Sequence, residues 1–507
     1  MAVVVAQKTD ETRSIIRSLE FYLGITTFAE DDLANLQSVQ AEGSCNWIIE
    51  QLTFQNWRDA REDTPQVYWL TGQPGSGKSV TSAHVVTHLQ EFGVDVCYYF
   101  FKHGHKEQQT VSGFFRQLAH QMAVHHPAVR QRLYALQESG IIVDKDDDRA
   151  IWRKLFVNEI LKTPLPNQQF WVVDGLDECH DVKELFIMLS KLDSPYPINF
   201  FFSSRKVQVL ERQLMLFRNR VFSHHIERDD TLQDIRSYIE DHCDSLAIDL
   251  EHRHELVDNM IRKSDGSFLW TKLAFEELEN VYSEDSMSEV LDEIPEGMAA
   301  LYERVLDSMS RNSREAKLTK AILAWTVCGI RNLTISELQA ALRLDLKSNI
   351  PNIERTVEGL CGQMVRIEKN GTVQLIHSTA RDFLMDNNLE SPFAIKRSEI
   401  HEKLATVCLQ YLCGDELKPP KSRALASELK GVQSSFADYA TTSWSDHLVA
   451  ASSKSNGLLE LVNRFLKTNV LSWIEFVACR KKNLYHISRT AKNLRNYLDR
   501  RAKYLPP

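Results

Sequence analysis

A basic excess is missing from this 507-residue chain: 60 Lys and Arg stand against 69 Asp and Glu, for a formal net charge of −9. Domains built wholly for nucleic acid usually carry a surplus of positive charge, so the composition speaks against that class. Cysteine pairs are missing too. The nine cysteines form no CxxC, and only Cys408 and Cys413 stand close together. An odd, dispersed set fits free thiols in a reducing compartment better than a disulfide framework. No apolar run approaches the ~20 residues of a membrane span; "AILAWTVCGI" is about half that length. The opening "MAVVVAQKTDETRS" has no basic start and too short an apolar stretch for a secretory signal. No period of about 33 to 45 residues recurs, which speaks against a repeat array within these residues. The expectation is a soluble cytoplasmic protein without a membrane partner. Its 43% hydrophobic content suits several packed cores, and the length suggests three or four domains at roughly 100 to 200 residues each.

What is present begins with "VYWLTGQPGSGKSVTSAHVV". Gly72, Gln73, Pro74, Gly75, Ser76, Gly77, Lys78, Ser79 and Val80 fit a GxxxxGKS phosphate loop between a strand-like and a helix-like run. Glycines let successive N–H groups turn inward on phosphate with no Cβ in the way. Lys78 brings an ammonium to the outer phosphates, and Ser79 offers a hydroxyl to Mg²⁺. The helix that follows points its positive N-terminal end at the anion.

About a hundred residues later, "QQFWVVDGLDECHD" carries a continuous apolar run, Phe170 to Val173, of the kind a buried parallel strand shows. Asp174 stands at its carboxyl end, where open α/β sheets bind ligands, and is the outer partner for Mg²⁺. Asp177 and Glu178 follow closely enough to orient a water for attack on the terminal phosphate. A third run, "YPINFFFSSRKV", ends in Ser203, Ser204 and Arg205. With the three strands side by side, Arg205 emerges where its cation senses the γ-phosphate. "DVCYYFFKHGH" gives a fourth strand. His103 and His105 at its end have no further ligand at metal spacing and read as a loop.

Taken together, the loop, "DGLDE" and the strand-terminal Arg resemble the NACHT branch of the STAND NTPases. "EGSCNWIIEQLTFQNW", "RDDTLQDIRSYIEDH", "GSFLWTKLAFEEL", "EIPEGMAALYERVL" and "LIHSTARDFLM" are similar to further signatures of the fungal members, so the resemblance spans about residues 40 to 415. It implies binding of ATP or GTP with Mg²⁺, ADP in the resting state, slow hydrolysis, and a switch between closed and homo-oligomerising states that signals to an effector protein. By matching positions it implies Lys78 and Ser79 on phosphate and Mg²⁺, Asp174 on Mg²⁺, Asp177 or Glu178 on water, and Arg205 as sensor. His377, in "IHS", resembles the winged-helix histidine that touches the bound diphosphate. Its alternative is a turn histidine capping the next helix.

The fold class expected is α/β, a P-loop NTPase parallel sheet with helices on both faces, followed by a helical domain, a winged helix and a second helical domain. The boundaries read as 1–45 for an N-terminal helical segment and 46–227 for the NTPase. They continue as 228–315 helical, 316–390 winged helix, and 391–507 helical. Asp230 in "RDDT" is placed as the cap of a helix, with no strand until about residue 364. "AILAWTVCG" reads as a helix ended by Gly329, and "TISELQAAL" opens with Thr334 and Glu337 in capping-box spacing. "MVRIEKNGTVQLIH" is a hairpin around Asn370-Gly371. Helix, helix, hairpin is a winged-helix order. "SELQAALRLDL", taken as its second helix, has one Arg and two acids and is poor material for reading DNA. Pro419 and Pro420 mark a loop. "RKKNLYHISRTAKNLRNYLDRRAK" is a local basic face or a solvated helix. The competing functions are a phosphate-loop kinase acting on a small molecule or nucleic acid, and a winged-helix DNA regulator.

Overall fold

The computed structural model describes residues 2–504 apart from 62–63, 106, 146, 218–219, 244–249, 280, 282, 311–313, 363, 369, 415–434 and 482–484. The chain divides into two compact units, Met1–Leu301 and Tyr302–Pro507. The loop read at Pro419 and Pro420 lies outside the described residues.

The first unit opens with helices α1 (Ala2–Leu23), α2 (Ala29–Ser38), α3 (Asn46–Glu50) and α4 (Leu52–Asp59). Strands then alternate with helices. In order they are β1 (Val67–Gly72), α5 (Lys78–Glu91), β2 (Asp95–Phe100), α6 (Val111–His125), α7 (Pro127–Glu138), α8 (Asp148–Ile151), β3 (Gln169–Asp174), α9 (Val182–Ser190), β4 (Ile198–Ser204), α10 (Gln208–Leu214) and β5 (Val221–Ile226). All strand pairs are parallel, in the order β2-β3-β4-β1-β5. Strand side chains alternate between faces, and both faces are covered. Trp69, Trp171, Val173, Phe200 and Phe202 enter one core with α6 and α7, while Tyr68, Leu70, Phe170, Val172 and Phe201 enter the other with α4 and α5. Continuous apolar runs in β1, β3 and β4 are the sequence form of this double burial.

β5 is a different case. "VFSHHI" is half-buried at the sheet edge, so its polar residues hid it from a search for apolar runs. At the opposite edge, the buried Gln121 side chain of α6 donates to the Tyr98 carbonyl at 2.8 Å and accepts from the Tyr98 N–H at 2.9 Å. One amide satisfies an edge residue that has no further strand to pair with.

Helices α11 (Arg228–Cys243), α12 (Leu250–Ser264), α13 (Phe268–Leu278), α14 (Glu284–Glu293) and α15 (Met298–Ser310) follow. Asp230 is not the cap of α11. It lies in the first turn and its carboxylate reaches back to the Glu227 N–H at 2.9 Å, the reciprocal half of a capping box. Buried Lys263 donates to the carbonyls of Leu291, Asp292 and Ile294 at 2.6, 3.2 and 3.0 Å. These are among the carbonyls that the end of α14 leaves without helical partners.

In the second unit, α16 (Ala316–Cys328) is followed by β6 (Leu333–Thr334), α17 (Ile335–Leu346), α18 (Ile353–Cys361), β7 (Val365–Ile367), β8 (Thr372–Leu375) and α19 (Ser378–Leu384). The strands pair antiparallel in the order β6-β8-β7. This is a winged helix, with two corrections to the sequence reading. A short strand, β6, precedes residue 364, and a third helix, α18, separates α17 from the wing. The helix that stands before the wing is therefore "IERTVEGLC", with Glu354, Arg355 and Glu358 exposed. One cation between two carboxylates is no better suited to phosphate than α17. The Thr334–Glu337 capping box is present, and Gly371 takes φ 75° in the wing turn.

The rest of the unit is helical: α20 (Arg397–Leu412), then Ala437–Ala450, Asn456–Thr468, Val470–Lys481 and Tyr485–Ala502. The Ile330 N–H donates to Tyr439 Oη at 3.0 Å, Tyr439 Oη meets His447 Nε2 at 2.8 Å, and His447 Nδ1 meets His401 Nδ1 at 2.8 Å. A buried relay thus ties the winged helix to these helices. The basic C-terminal stretch is in part turned inward. Arg489 pairs with Asp446 at 2.9 Å, Arg500 donates to the Val449 carbonyl at 2.6 Å, and buried Arg501 to the Ser453 carbonyl at 2.8 Å.

Replacing Lys263 by Met leaves three carbonyls without their donor at little change in volume. Hydrogen exchange should report a local loss of roughly 2–4 kcal/mol in α13 and α14, with β1 to β5 unaffected.

Candidate functional site

β1 ends at Gly72 and α5 starts at Lys78, so the intervening turn crosses the carboxyl edge of the sheet. Gly75 and Gly77 take φ 78° and 83°, left-handed values that a Cβ makes costly. A Cβ at Gly72 would stand 2.7 Å from Ser76 Oγ. That hydroxyl is buried and has no hydrogen-bond partner among the described residues. The Lys78 ammonium donates to the Gly72 and Gln73 carbonyls at 3.0 and 2.6 Å. Burial pulls its pKa below the usual lysine value, against the opposing pull of Asp174 and Asp177.

Asp174 terminates β3 and is buried. Its Oδ2 accepts from Ser79 Oγ at 2.6 Å; its Oδ1 accepts from Ser82 Oγ at 3.0 Å and from Ser203 Oγ. Burial raises its pKa, and the three hydroxyls and Lys78 lower it. Because β4 lies between β1 and β3, Ser203 at its end reaches the carboxylate from one side while the phosphate-loop helix reaches it from the other.

Asp174 leads into Gly175, at φ 71°, where a Cβ would meet the Phe101 carbonyl at 2.8 Å. The turn then presents two acids in unlike settings. Asp177 is committed to Arg205, taking its Nε at 2.8 Å on Oδ2 and its backbone N–H at 3.1 Å on Oδ1. Glu178 accepts the His103 N–H at 2.6 Å. Its carboxyl is pushed up to about 7, first by burial and then by the nearby Asp177 and Asp174, while the His103 N–H and Arg205 pull it back.

The structure therefore brings Gly72 through Val80, Asp174, Asp177, Glu178 and Arg205 to one edge of the sheet. His377 belongs to the second unit, where it is the N-cap of α19. Its Nδ1 accepts from the Thr379 N–H at 3.2 Å, which leaves the proton of the neutral ring on Nε2. The HGH loop supplies a backbone donor, and among the described residues no group of His, Cys, Asp or Glu could hold a metal by itself.

Three features were missed in the sequence. Ser82 and Ser203 clasp Asp174, although isolated serines carry no signal. The start of α13 packs on the loop, with the Phe268 N–H donating to the Gly75 carbonyl at 3.1 Å. Cys45, at φ 65°, donates its N–H to Asp234 of α11 at 2.8 Å and receives Thr81 of α5 on its sulfur at 3.7 Å. The "EGSCNW" and "GSFLW" strings thus converge on the phosphate loop.

The donor set fits Mg²⁺ and a polyphosphate: a hydroxyl and a carboxylate already within bonding distance of each other, a glycine cradle, and an orphaned hydroxyl inside it. Ser79 and Asp174 are the residues that would hold the metal, which when bound neutralises developing charge on the phosphates.

Residues 43–205 match the model described as Nephrocystin 3, N-terminal, and residues 306–396 that described as GPI inositol-deacylase, winged helix domain. The vegetative incompatibility protein HET-E-1 of Podospora anserina is 23% identical over 354 residues, which is 67% of this chain and 26% of that protein. The chain thus spans about a quarter of that relative's length. Among solved structures, Aeropyrum pernix ORC1 in complex with DNA is 12% identical, covers 68% of this chain and 92% of its own, and has a TM-score of 0.33. A Thermotoga maritima RuvB variant is 11% identical, covers 70% and 98%, and has a TM-score of 0.27. Likeness that low says nothing of DNA here. The sheet, the loop and the family matches define a P-loop NTPase. Within that class, these matches support a STAND NTPase of the fungal NACHT type. Among the described residues, no helix is long and apolar enough to cross a membrane.

Glu178 gives a pH test with a fixed sign. A carboxyl raised in the folded state contributes stability that is full below its unfolded pKa and lost as pH rises through about 7. Glu178→Gln should therefore melt higher than the unaltered protein at pH 8, by on the order of 2 kcal/mol. The gap should shrink as pH falls toward ~4.5. Thermal unfolding at several pH values measures it.

Proposed function

We propose that the chain is a nucleotide-dependent signalling switch that binds ATP or ADP with Mg²⁺, hydrolyses slowly, and alternates between closed and self-assembling states. The observation that carries this reading is the meeting of Ser79 and Asp174 at 2.6 Å beside the glycine cradle, with Arg205 at the end of the intervening strand. Its setting in fungal incompatibility signalling is suggested by the relative's name.

In this reading Lys78 and the loop amides hold the phosphates, and Ser79 and Asp174 hold the metal. The geometry favours a division of labour between the two acids. Asp177, engaged by Arg205 through two bonds, orients the sensor. Glu178, raised toward neutrality, takes the proton of the attacking water, since a base works best with a pKa near the working pH. His377 takes the role that the resemblance implies, a winged-helix histidine that touches the bound diphosphate. The NTPase, helical, winged-helix and second helical domains are read as 46–227, 228–315, 316–390 and 391–507, after an N-terminal segment 1–45. A ligand shifts closed and open populations only by binding them unequally, and the His377 contact would supply that inequality. The effector is an unidentified protein.

Lys78→Ala should abolish nucleotide binding and nucleotide-driven assembly, by calorimetry and light scattering; tight ATP binding by that variant overturns the loop assignment. Glu178→Gln should slow hydrolysis by about a hundredfold or more while still binding ATP, so that the assembled state persists. Asp177→Asn should release Arg205 and weaken the distinction between ATP and ADP. Unchanged discrimination removes its proposed role.

A further inference from the structure

The loop 102–109 that follows β2 lies against the turn carrying Glu178 and joins it at two points. The His103 N–H donates to Glu178 Oε2 at 2.6 Å, and the His180 N–H donates to the Gln109 carbonyl at 2.8 Å. The loop is pinched at its base, where the Lys102 N–H reaches the Gln108 carbonyl at 3.3 Å. What fastens the pinch comes from outside the sheet. Asp32, on α2, takes the Lys102 ammonium on Oδ1 and the Gln108 amide on Oδ2, both at 2.5 Å. The carboxylate is 13% exposed, so water competes weakly for it. One side chain thus spans both ends of the loop.

The neighbours leave the loop little freedom. The Thr26 hydroxyl donates to Glu107 Oε2 at 2.6 Å, and Tyr99 Oη donates to the Glu107 carbonyl at 3.2 Å. That carbonyl rests on Gly113, where a Cβ would stand 2.1 Å away. The N-terminal helices that bring Asp32 are themselves anchored to α6. Buried Arg116 donates to the Leu23 and Gly24 carbonyls at 3.0 and 2.8 Å, and Gln117 donates to the Thr27 carbonyl.

We propose that Asp32 is a positioning residue for Glu178: by holding Lys102 and Gln108 together it keeps the His103 amide aimed at the carboxylate, and so couples the seating of the N-terminal helices to the rate of hydrolysis. The inference rests on the reading of Glu178 as the base. A base acts only from the right orientation, and small displacements are costly. The His103 amide holds Glu178 Oε2 in one place.

The experiment uses the full chain and compares Asp32→Asn, the pair Lys102→Met with Gln108→Leu, and Glu178→Gln. ATP hydrolysis, Mg·ATP affinity and hydrogen exchange are measured for each. Asparagine keeps the volume of aspartate, and the double variant removes the same two bonds from the opposite end. Both should lower kcat by roughly ten- to a hundredfold, leave affinity within about threefold, and speed amide exchange at His103 and Gln108. An unchanged kcat with a loosened loop overturns the inference. Equal losses of affinity and rate also overturn it, since general loss of structure would do that. Hydrolysis that survives Glu178→Gln overturns the base assignment and this inference with it. Hydrolysis lost there but normal in Asp32→Asn overturns the inference alone.

Discussion

The architecture depends on one buried carboxylate. An aspartate taken out of water is expensive unless its oxygens are matched, and Asp174 has three hydroxyls around it, from two serines on the phosphate-loop helix and one at the end of β4. Those bonds tie three separate elements to one point at the sheet edge. They require β4 to lie between β1 and β3, α5 to begin where it does, and the following turn to fold back under Phe101. Beside Asp174, Lys78 is held by carbonyls and Arg205 by Asp177, and burial pushes Glu178 up to about 7.

Much of this was legible in the sequence because the requirements are local or covalent. A strand covered on both faces must be a continuous apolar run, which revealed β1, β3 and β4. Glycines let a turn bring its amides inward with no Cβ in the way, which made the phosphate loop legible. A capping box needs two residues three apart, which revealed α17. β5 stayed hidden because an edge strand with one half-wet face carries histidines and a serine. α18 went unread although Ile353, Val357 and Cys361, all buried, recur at helical spacing after the N-cap Asn352. That spacing is a legible helical signal, only nine residues long and close before the stronger Asn370-Gly371 hairpin signal.

What no local pattern reveals is convergence. Ser203 stands 29 residues from Asp174, Asp32 about seventy residues from Lys102, and Cys45 nearly two hundred from Asp234. Each is an unremarkable residue until the fold brings its partner. The division between Asp177 and Glu178 belongs to the same category. Adjacent acids look interchangeable in a string of letters, and they differ only because one turns toward Arg205 and the other toward a main-chain amide.

The Gln121 amide at the β2 edge has a consequence for how copies of such a chain can meet. The outward-facing N–H and C=O of Tyr98 are already consumed in the middle of that strand. An incoming peptide therefore finds no continuous ladder to extend on that side. Strand addition at that edge is closed off, and a second copy meeting this sheet by its backbone would have only the half-buried β5 edge to use.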